Sequence, residues 1–137
     1  MLMLEDQTFE NGRLLMAVAT IDRLERETAR KTIEDAHESF GLNYGDLASA
    51  LDVTRRMLLR YRNEMNTPSP KVRDRMEALR QISHLLDEVF TDREDGLEWL
   101  YTPVPLLQGR RPVDLMRRGE LDEVLSVLAG HYSGAFV

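Results

Sequence analysis

Trp99-Leu100-Tyr101-Thr102-Pro103-Val104-Pro105-Leu106-Leu107-Gln108-Gly109-Arg110-Arg111-Pro112-Val113-Asp114-Leu115-Met116 is the stretch on which the reading of this chain turns. Pro103, Pro105 and Pro112 each fix one φ and remove one backbone donor, so regular helix cannot pass through. Gly109, ahead of the pair Arg110-Arg111, supplies the corner such a loop needs. Pro112 suits the first position of a new helix, where its missing N–H costs nothing. The stretch therefore predicts a helix end, a stiff ordered loop and a short helix. Trp99, Leu100, Leu106 and Leu107 are too apolar for a free linker, so all four are expected to be covered.

Downstream, Leu121, Val124, Leu125, Leu128 and Tyr132 recur at helical spacing and predict a closing helix. Glu120, Asp122 and Glu123 fall in its first turn, where the helix dipole favours acid. Gly130 and Gly134 weaken its end. Two readings of Phe136 stand at equal weight. Its ring folds back into its own core, or Tyr132, Phe136, Val137 and the α-carboxylate enter a partner's pocket. Upstream, residues 94–100 predict a short helix. Before that, Val72, Met76, Leu79, Ile82, Leu86, Val89 and Phe90 keep a helical period to about Phe90. Ser69 caps this long connecting helix, Pro70 opens it, and the loop Asn66-Thr67-Pro68-Ser69-Pro70 precedes it.

Further back, the run from Leu47 to Arg62 reads as helix, tight turn, helix. Asn43 is an N-cap with Asp46 three residues on, and Thr54 caps the second helix. Leu47, Ala48, Leu51, Val53, Leu58 and Tyr61 fall where a helix-turn-helix buries its apolar residues, the small Ala48 letting the two helices approach. Once that set is assigned, Arg55, Arg56, Leu59, Arg60, Arg62 and Asn63 remain for solvent. Arg pairs bidentately with guanine or phosphate and Asn with adenine, so an αα-hairpin and a DNA-reading face both fit. From Thr54 to Arg80 there are eight basic and three acidic residues, a charge of +5 that leaves −11 for the rest. Such segregation makes a local contact face compatible with a net charge of −6.

Residues 8–40 predict helix, with Leu14, Leu15, Val18, Ile21 and Leu24 along one side and charged residues along the other. Asn11-Gly12 reads as a turn, and Thr28 or Thr32 offers a start for a separate helix carrying Ile33, Ala36 and Phe40. The stripe has two readings: an amphipathic helix on its own core, or a dimerisation arm. Gly41 is placed to end this segment.

A chain of 137 residues, 42% hydrophobic and 31% charged, has the composition of a globular protein. Zero cysteines exclude disulfides and thiolate metal sites and fit a reducing cytoplasm. The longest apolar run, residues 14–19, is far too short for a membrane span, and residues 1–20 carry no secretion signal. His37, His84 and His131 lie far apart without a metal-ligand spacing, and no Gly-rich phosphate loop is present. The carboxylates Glu34, Asp35, Asp87 and Glu88 read as water-facing, and Met57, Met65, Met76 and Met116 as core filler. No enzyme, metal or cofactor is expected.

Trp99, Leu100, Pro103, Leu107, Gly109, Arg110, Pro112, Asp114, Leu115 and, after a gap, Gly119-Glu120 resemble the C-terminal toxin-binding domain of the Xre/MbcA/ParS family of type II antitoxins. The chain departs from that pattern at Val104, where such proteins often carry Asn. Residues 47–62 resemble the Xre-type helix-turn-helix of the same family, with Asp52 where Gly is common. The resemblance implies an all-α protein in three parts: an N-terminal arm and helix-turn-helix module over residues 1–68, a connecting helix over 69–90, and a small helical toxin-binding domain over 91–137. It implies an antitoxin that occludes the active site of a RES-domain, NAD⁺-degrading toxin, forms homodimers and represses its own operon. Under that reading the toxin contacts are Gln108, Gly109, Arg110 and Arg111, with Tyr132, Phe136 and Val137 as anchors. Trp99, Pro103, Leu107 and Pro112 hold the domain together, and Arg55, Arg56, Leu59, Arg60 and Asn63 face DNA. The competing class is a stand-alone helix-turn-helix regulator whose C-terminal domain dimerises or senses a ligand.

Overall fold

The computed structural model describes the backbone of residues 2–134 and the side chains of residues 8–134. Phe136 and Val137 lie outside the described residues. The described chain is all helical: α1 (Leu2–Phe40), α2 (Tyr44–Leu51), α3 (Arg55–Arg62), α4 (Pro70–Val89), α5 (Arg93–Leu100), a 3₁₀ turn (Pro105–Leu107), α6 (Pro112–Arg117) and α7 (Leu121–Ser133). Its sole sheet-like feature among the described residues is a bridge between Val104 and Arg110.

The expected breaks in the first helix are absent. α1 runs unbroken for 39 residues through Asn11-Gly12, Thr28 and Thr32, roughly 58 Å at the rise of an α-helix. Thr32 does not act as a cap. Its hydroxyl donates back to the Thr28 carbonyl at 2.8 Å and accepts from Arg80 Nη1 at 2.8 Å. A threonine satisfied within the helix gives the chain no reason to turn. Ala29, Ile33, Ala36 and Phe40 of α1 are buried, whereas no described residue ahead of Ala29 is.

Gly41 ends α1 at φ +69, and the Tyr101 hydroxyl, 61 residues away, donates to the Phe40 carbonyl at 2.7 Å. The helix end thus receives a donor for one of its orphan carbonyls from a distant segment. α2 and α3 follow the cap signals closely. Asn43 Oδ1 accepts from the Asp46 N–H at 2.8 Å, and Thr54 Oγ1 from the Met57 N–H at 3.1 Å. Between them Asp52 takes the left-handed conformation, φ 56, that the sequence requires of it. Of the six expected core residues, Leu47, Ala48, Leu51, Leu58 and Tyr61 are buried; Val53 is half-buried against them.

α4 is the shared wall. Val72, Met76, Ala78, Leu79, Ile82 and Leu86 are buried, and the helix packs on α1 on one side and on α7 on the other. The buried residues of α7 are Leu121, Val124, Val127 and Leu128, with Gly130. The expected α7 stripe therefore shifts: Leu125 is half-buried and Tyr132 is 60% exposed, with Val127 buried instead. Met76 and Met116 are core residues as expected, but Met65 is exposed. Gly119, at φ +78, lets α6 and α7 approach α2 and α4; a Cβ there would stand 2.8 Å from Arg75 Nη1 and 3.4 Å from the Ala50 carbonyl. Arg75 reaches the carbonyls of both Ala50 and Gly119 at 3.4 Å.

Candidate functional site

Two separate surfaces present the residues that the sequence singles out. The first is the proline loop between α5 and α6. Its backbone closes on itself: the Val104 N–H donates to the Arg110 carbonyl at 3.1 Å, and the Leu107 and Gly109 N–H groups donate to the Val104 carbonyl at 2.9 and 3.0 Å. Gln108 (φ 59) and Gly109 (φ 77) make the reversal in left-handed conformations. Val104 is buried, so the departure at this position replaces a polar turn residue by a core contact.

Leu107 is 3% exposed beneath the loop, while its neighbour Leu106 is 51% exposed at the crest. Leu106 thus departs from the expectation that all four apolar residues are covered. Consecutive side chains of a 3₁₀ turn point about 120° apart; only one of the two leucines faces the core. Pro103 is likewise exposed and Trp99 half-buried, so of the expected supports Leu107 and Pro112 are the buried ones.

The two arginines of the loop are held in place. Arg110 Nη2 lies 3.0 Å from Glu123 Oε2, its Nε donates to the Leu107 carbonyl at 3.0 Å, and Nη1 is 3.7 Å from Glu120 Oε2. Arg111 grips Asp114 with both Nε (2.8 Å) and Nη2 (3.0 Å), and Arg117 Nη1 adds a third donor at 3.1 Å. Arg117 also reaches Asp46 at the start of α2, 3.4 Å away. These donors, Arg111 first, hold the Asp114 carboxyl below the ordinary aspartate range. A carboxylate with a depressed folded-state pKa stabilises fully above its unfolded value, near pH 4, and the contribution is lost as pH falls through the lower folded value. Asp114→Asn is therefore expected to lower the melting temperature by a few degrees at pH 7. The two proteins should converge as acid is added toward pH 2, as thermal melts across pH would read. A gap constant over that range would remove the charge from the explanation.

Tyr132 does not join this cluster. It stands on α7 roughly two and a half turns beyond Glu123, close in sequence to His131, whose ring meets Trp99 edge-on at 6.5 Å. The loop residues Gln108, Gly109, Arg110 and Arg111 are thus brought together, and Tyr132 forms a separate exposed aromatic.

The second face is α3. Arg55 and Arg56 occupy its first turn, exposed, with no ion-pair partner among the described residues. Cations at a helix N-terminus oppose the helix dipole, so this placement works against the local structure. Arg60 Nε donates to Asn66 Oδ1 at 2.7 Å, Leu59 is half-buried, and Asn63 is exposed at the helix end. Arg62, expected to face solvent, is instead bound: Nε donates to Glu34 Oε1 at 2.5 Å, and its guanidinium lies 4.9 Å from the Tyr44 ring centroid. Glu34 is correspondingly not a free water-facing carboxylate. It also accepts from the Tyr44 hydroxyl at 3.2 Å, and Arg62 draws its pKa down. The described residues contain no acidic or histidine cluster able to hold a metal, and no helix is long and apolar enough to cross a membrane.

Residues 85–134 match the model of the Xre/MbcA/ParS antitoxin C-terminal toxin-binding domain. Across a longer span, the chain is 32% identical over 114 residues to a probable mycobacterial cidal antitoxin of Mycobacterium tuberculosis, covering 83% of this chain and 96% of that protein. The chain belongs to the Xre/MbcA/ParS antitoxin family. Mycobacterial cidal antitoxin MbcA of Mycobacterium bovis is 30% identical over 106 residues, 77% of this chain and 93% of MbcA. The fold is also similar to a chain in the crystal structure of the M. tuberculosis MbcT–MbcA toxin–antitoxin complex, with a TM-score of 0.56 and 30% identity over 79% of this chain and 96% of that one. As a member of this family, the chain carries its matched toxin-binding domain on α5, α6, α7 and the proline loop, with the last turns of α4.

Proposed function

We propose that this protein is the antitoxin of a type II toxin–antitoxin pair, inhibiting its toxin by occluding the catalytic cleft. The observation that carries this reading is the closed loop of residues 104–110, which lifts Leu106 into solvent from a buried base at Val104 and Leu107. A tight inhibitor needs a pre-ordered apolar anchor more than it needs area, because rigid presentation spares the entropy of ordering. Leu106 fits that role beside Gln108, Gly109, Arg110 and Arg111, and Tyr132 offers a second anchor. Phe136 and Val137 remain proposed contacts outside the described residues. The partner is a RES-domain, NAD⁺-degrading toxin encoded beside this gene, as the family resemblance implies. No chemistry is required of this chain, and the reading places it in the cytoplasm as a homodimer. The division into residues 1–68, 69–90 and 91–137 is proposed on the same basis.

Co-expression with the adjacent gene tests the proposal. The two proteins are expected to co-purify, and the toxin alone is expected to arrest growth and deplete NAD⁺. A neighbour that is harmless and does not bind would leave a stand-alone regulator as the better description.

The exposed first-turn arginines of α3 support operator binding as a second activity. Replacing Arg55, Arg56 and Arg60 together by Ala is expected to weaken operator binding at least about thirtyfold, and the salt dependence should flatten by about one unit of slope for each phosphate left unneutralised. Fluorescence anisotropy at several salt concentrations would measure both. Unchanged binding would move the reading face elsewhere.

A further inference from the structure

Arg26, Lys31, Arg55, Arg56 and Arg118 are the lysines and arginines that have no hydrogen bond, ion pair or ring contact among the described residues. Arg26 and Lys31 lie on α1, and the other three are gathered by the docking of the α6–α7 turn on the end of α2. Gly119 is fixed there: a Cβ on it would stand 3.4 Å from the carbonyls of both Ser49 and Ala50. Arg75 Nη1 ties the same elements together, reaching the carbonyls of Ala50 and Gly119 at 3.4 Å. Arg118, exposed, immediately precedes Gly119, and Arg55 follows Ala50 by five residues. Five residues span at most about 18 Å when extended, and the left-handed turn at Asp52 makes the path shorter. Lys71 stands on the same rim, 3.7 Å from Asp52 and on the wall of a shallow pocket with Arg75 and Gly119. The carboxylates of this neighbourhood are Asp52, which Lys71 meets, and Asp74 and Asp122 on the pocket wall. Cations outnumber them, in a chain whose net charge is −6.

We propose that Arg118, carried by the toxin-binding domain, contacts a backbone phosphate of the DNA that α3 engages, so that the nucleic-acid face spans both modules. The inference rests on the operator-binding activity above and adds to it a residue outside the helix-turn-helix. Local structure gives Arg118 little to do. The end of α6 favours a cation, but that helix is six residues long and its last turn already holds Arg117, bound to Asp114 and Asp46. Arg55, Arg56 and Arg118 are of one sign and unneutralised by the protein, so a partner with charge repeated along its length serves all three. Duplex DNA presents a phosphate about every 3.4 Å of rise on each strand, and neutralising them releases counterions. Elements that flank a recognition helix supply contacts of this kind, which position the protein without reading bases.

The full-length protein is titrated, at several salt concentrations, against two fluorescent duplexes: the segment upstream of its own reading frame and a scrambled sequence of equal length. Arg118→Ala is expected to weaken both by the same factor, about three- to tenfold, and to make the dependence of log K on log salt shallower by about one unit. Arg118→Lys, which keeps the charge, should retain the wild-type slope. Arg26→Ala, which removes an unpartnered cation on α1, should change neither quantity. Circular dichroism should show the Arg118 variants folded, because the side chain is exposed and bonds to nothing among the described residues. A wild-type slope for Arg118→Ala would overturn the inference, and so would equal flattening by Arg26→Ala, which would mean that net charge alone is being read. A loss confined to toxin affinity would assign Arg118 to the toxin face instead. A wild-type protein that binds neither duplex would sink operator binding and this inference together.

Discussion

The Leu106→Glu protein is expected to fold as the wild type does and to fail as an antitoxin. Leu106 is half in solvent at the crest of a loop whose backbone hydrogen bonds do not involve its side chain. A surface substitution of this kind changes stability by no more than about 0.5 kcal/mol. Against a partner's pocket the same change is severe, since it removes a buried anchor and forces a charge out of water. Loss of a central anchor costs about 2–4 kcal/mol, which is about thirtyfold to a thousandfold in Kd. Calorimetric titration against the toxin would read the affinity, and survival on co-expression would read the consequence. The contrasting variant is Leu107→Ala, one residue away and 3% exposed. It is expected to lower the melting temperature while binding more strongly than Leu106→Glu at temperatures where both are folded. If Leu106→Glu binds with wild-type affinity, the crest of the loop does not touch the toxin.

The other large effect concerns the junction of α7 with α4. Leu128 is fully buried among residues that include Ile82 and Leu79, themselves fully buried or nearly so. Leu128→Ala is expected to destabilise the protein by about 2–5 kcal/mol, the deletion of three buried carbons together with the cavity left behind. At about 3–5 °C per kcal/mol for a chain of this size, the melting temperature falls by about 6–25 °C. The two ends of the molecule should melt together, because one hydrophobic core spans α1 to α7 with α4 as the common wall. The single tryptophan, Trp99, lies at the α5 end, next to Phe90 and His131. Its fluorescence reports that end; amide exchange at Ile33 and Leu58 reports the other. Coincident loss of both signals is the expected result. Two separated transitions, with Trp99 released first, would show that the halves are held by independent cores.

Much of this architecture is legible because its signals are local. Asn43, Thr54 and Ser69 each cap the helix that follows them, and Pro70 begins α4. Such capping bonds span three residues and leave a direct mark on composition. Asp52 is also readable, since few L residues tolerate the left-handed turn between α2 and α3. What escapes depends on direction or on distance. Whether Leu106 or Leu107 faces the core is decided by the rotation of a single 3₁₀ turn, which apolar content does not encode. Thr28 and Thr32 look like caps but form a back-bond inside one helix, and the two uses of threonine have the same sequence signature. The binding of Arg62 to Glu34, and the approach of Arg75 to Gly119, join residues 28 and 44 positions apart. No period in the chain announces contacts of that range. At the candidate toxin face, the sequence marks the charged loop residues and asks that Leu106 be covered without saying by what; of the four apolar residues it is the one that stands in solvent.

The length of α1 that stands clear of the core bears on how long a molecule survives. Helical turns without tertiary packing open with almost no free-energy cost, and an opened segment is what a housekeeping protease engages first. Mutual shielding of that segment would make turnover depend on abundance: concentrated chains would protect one another, and dilute ones would be removed quickly. A population whose synthesis has stopped would then decline faster the smaller it became.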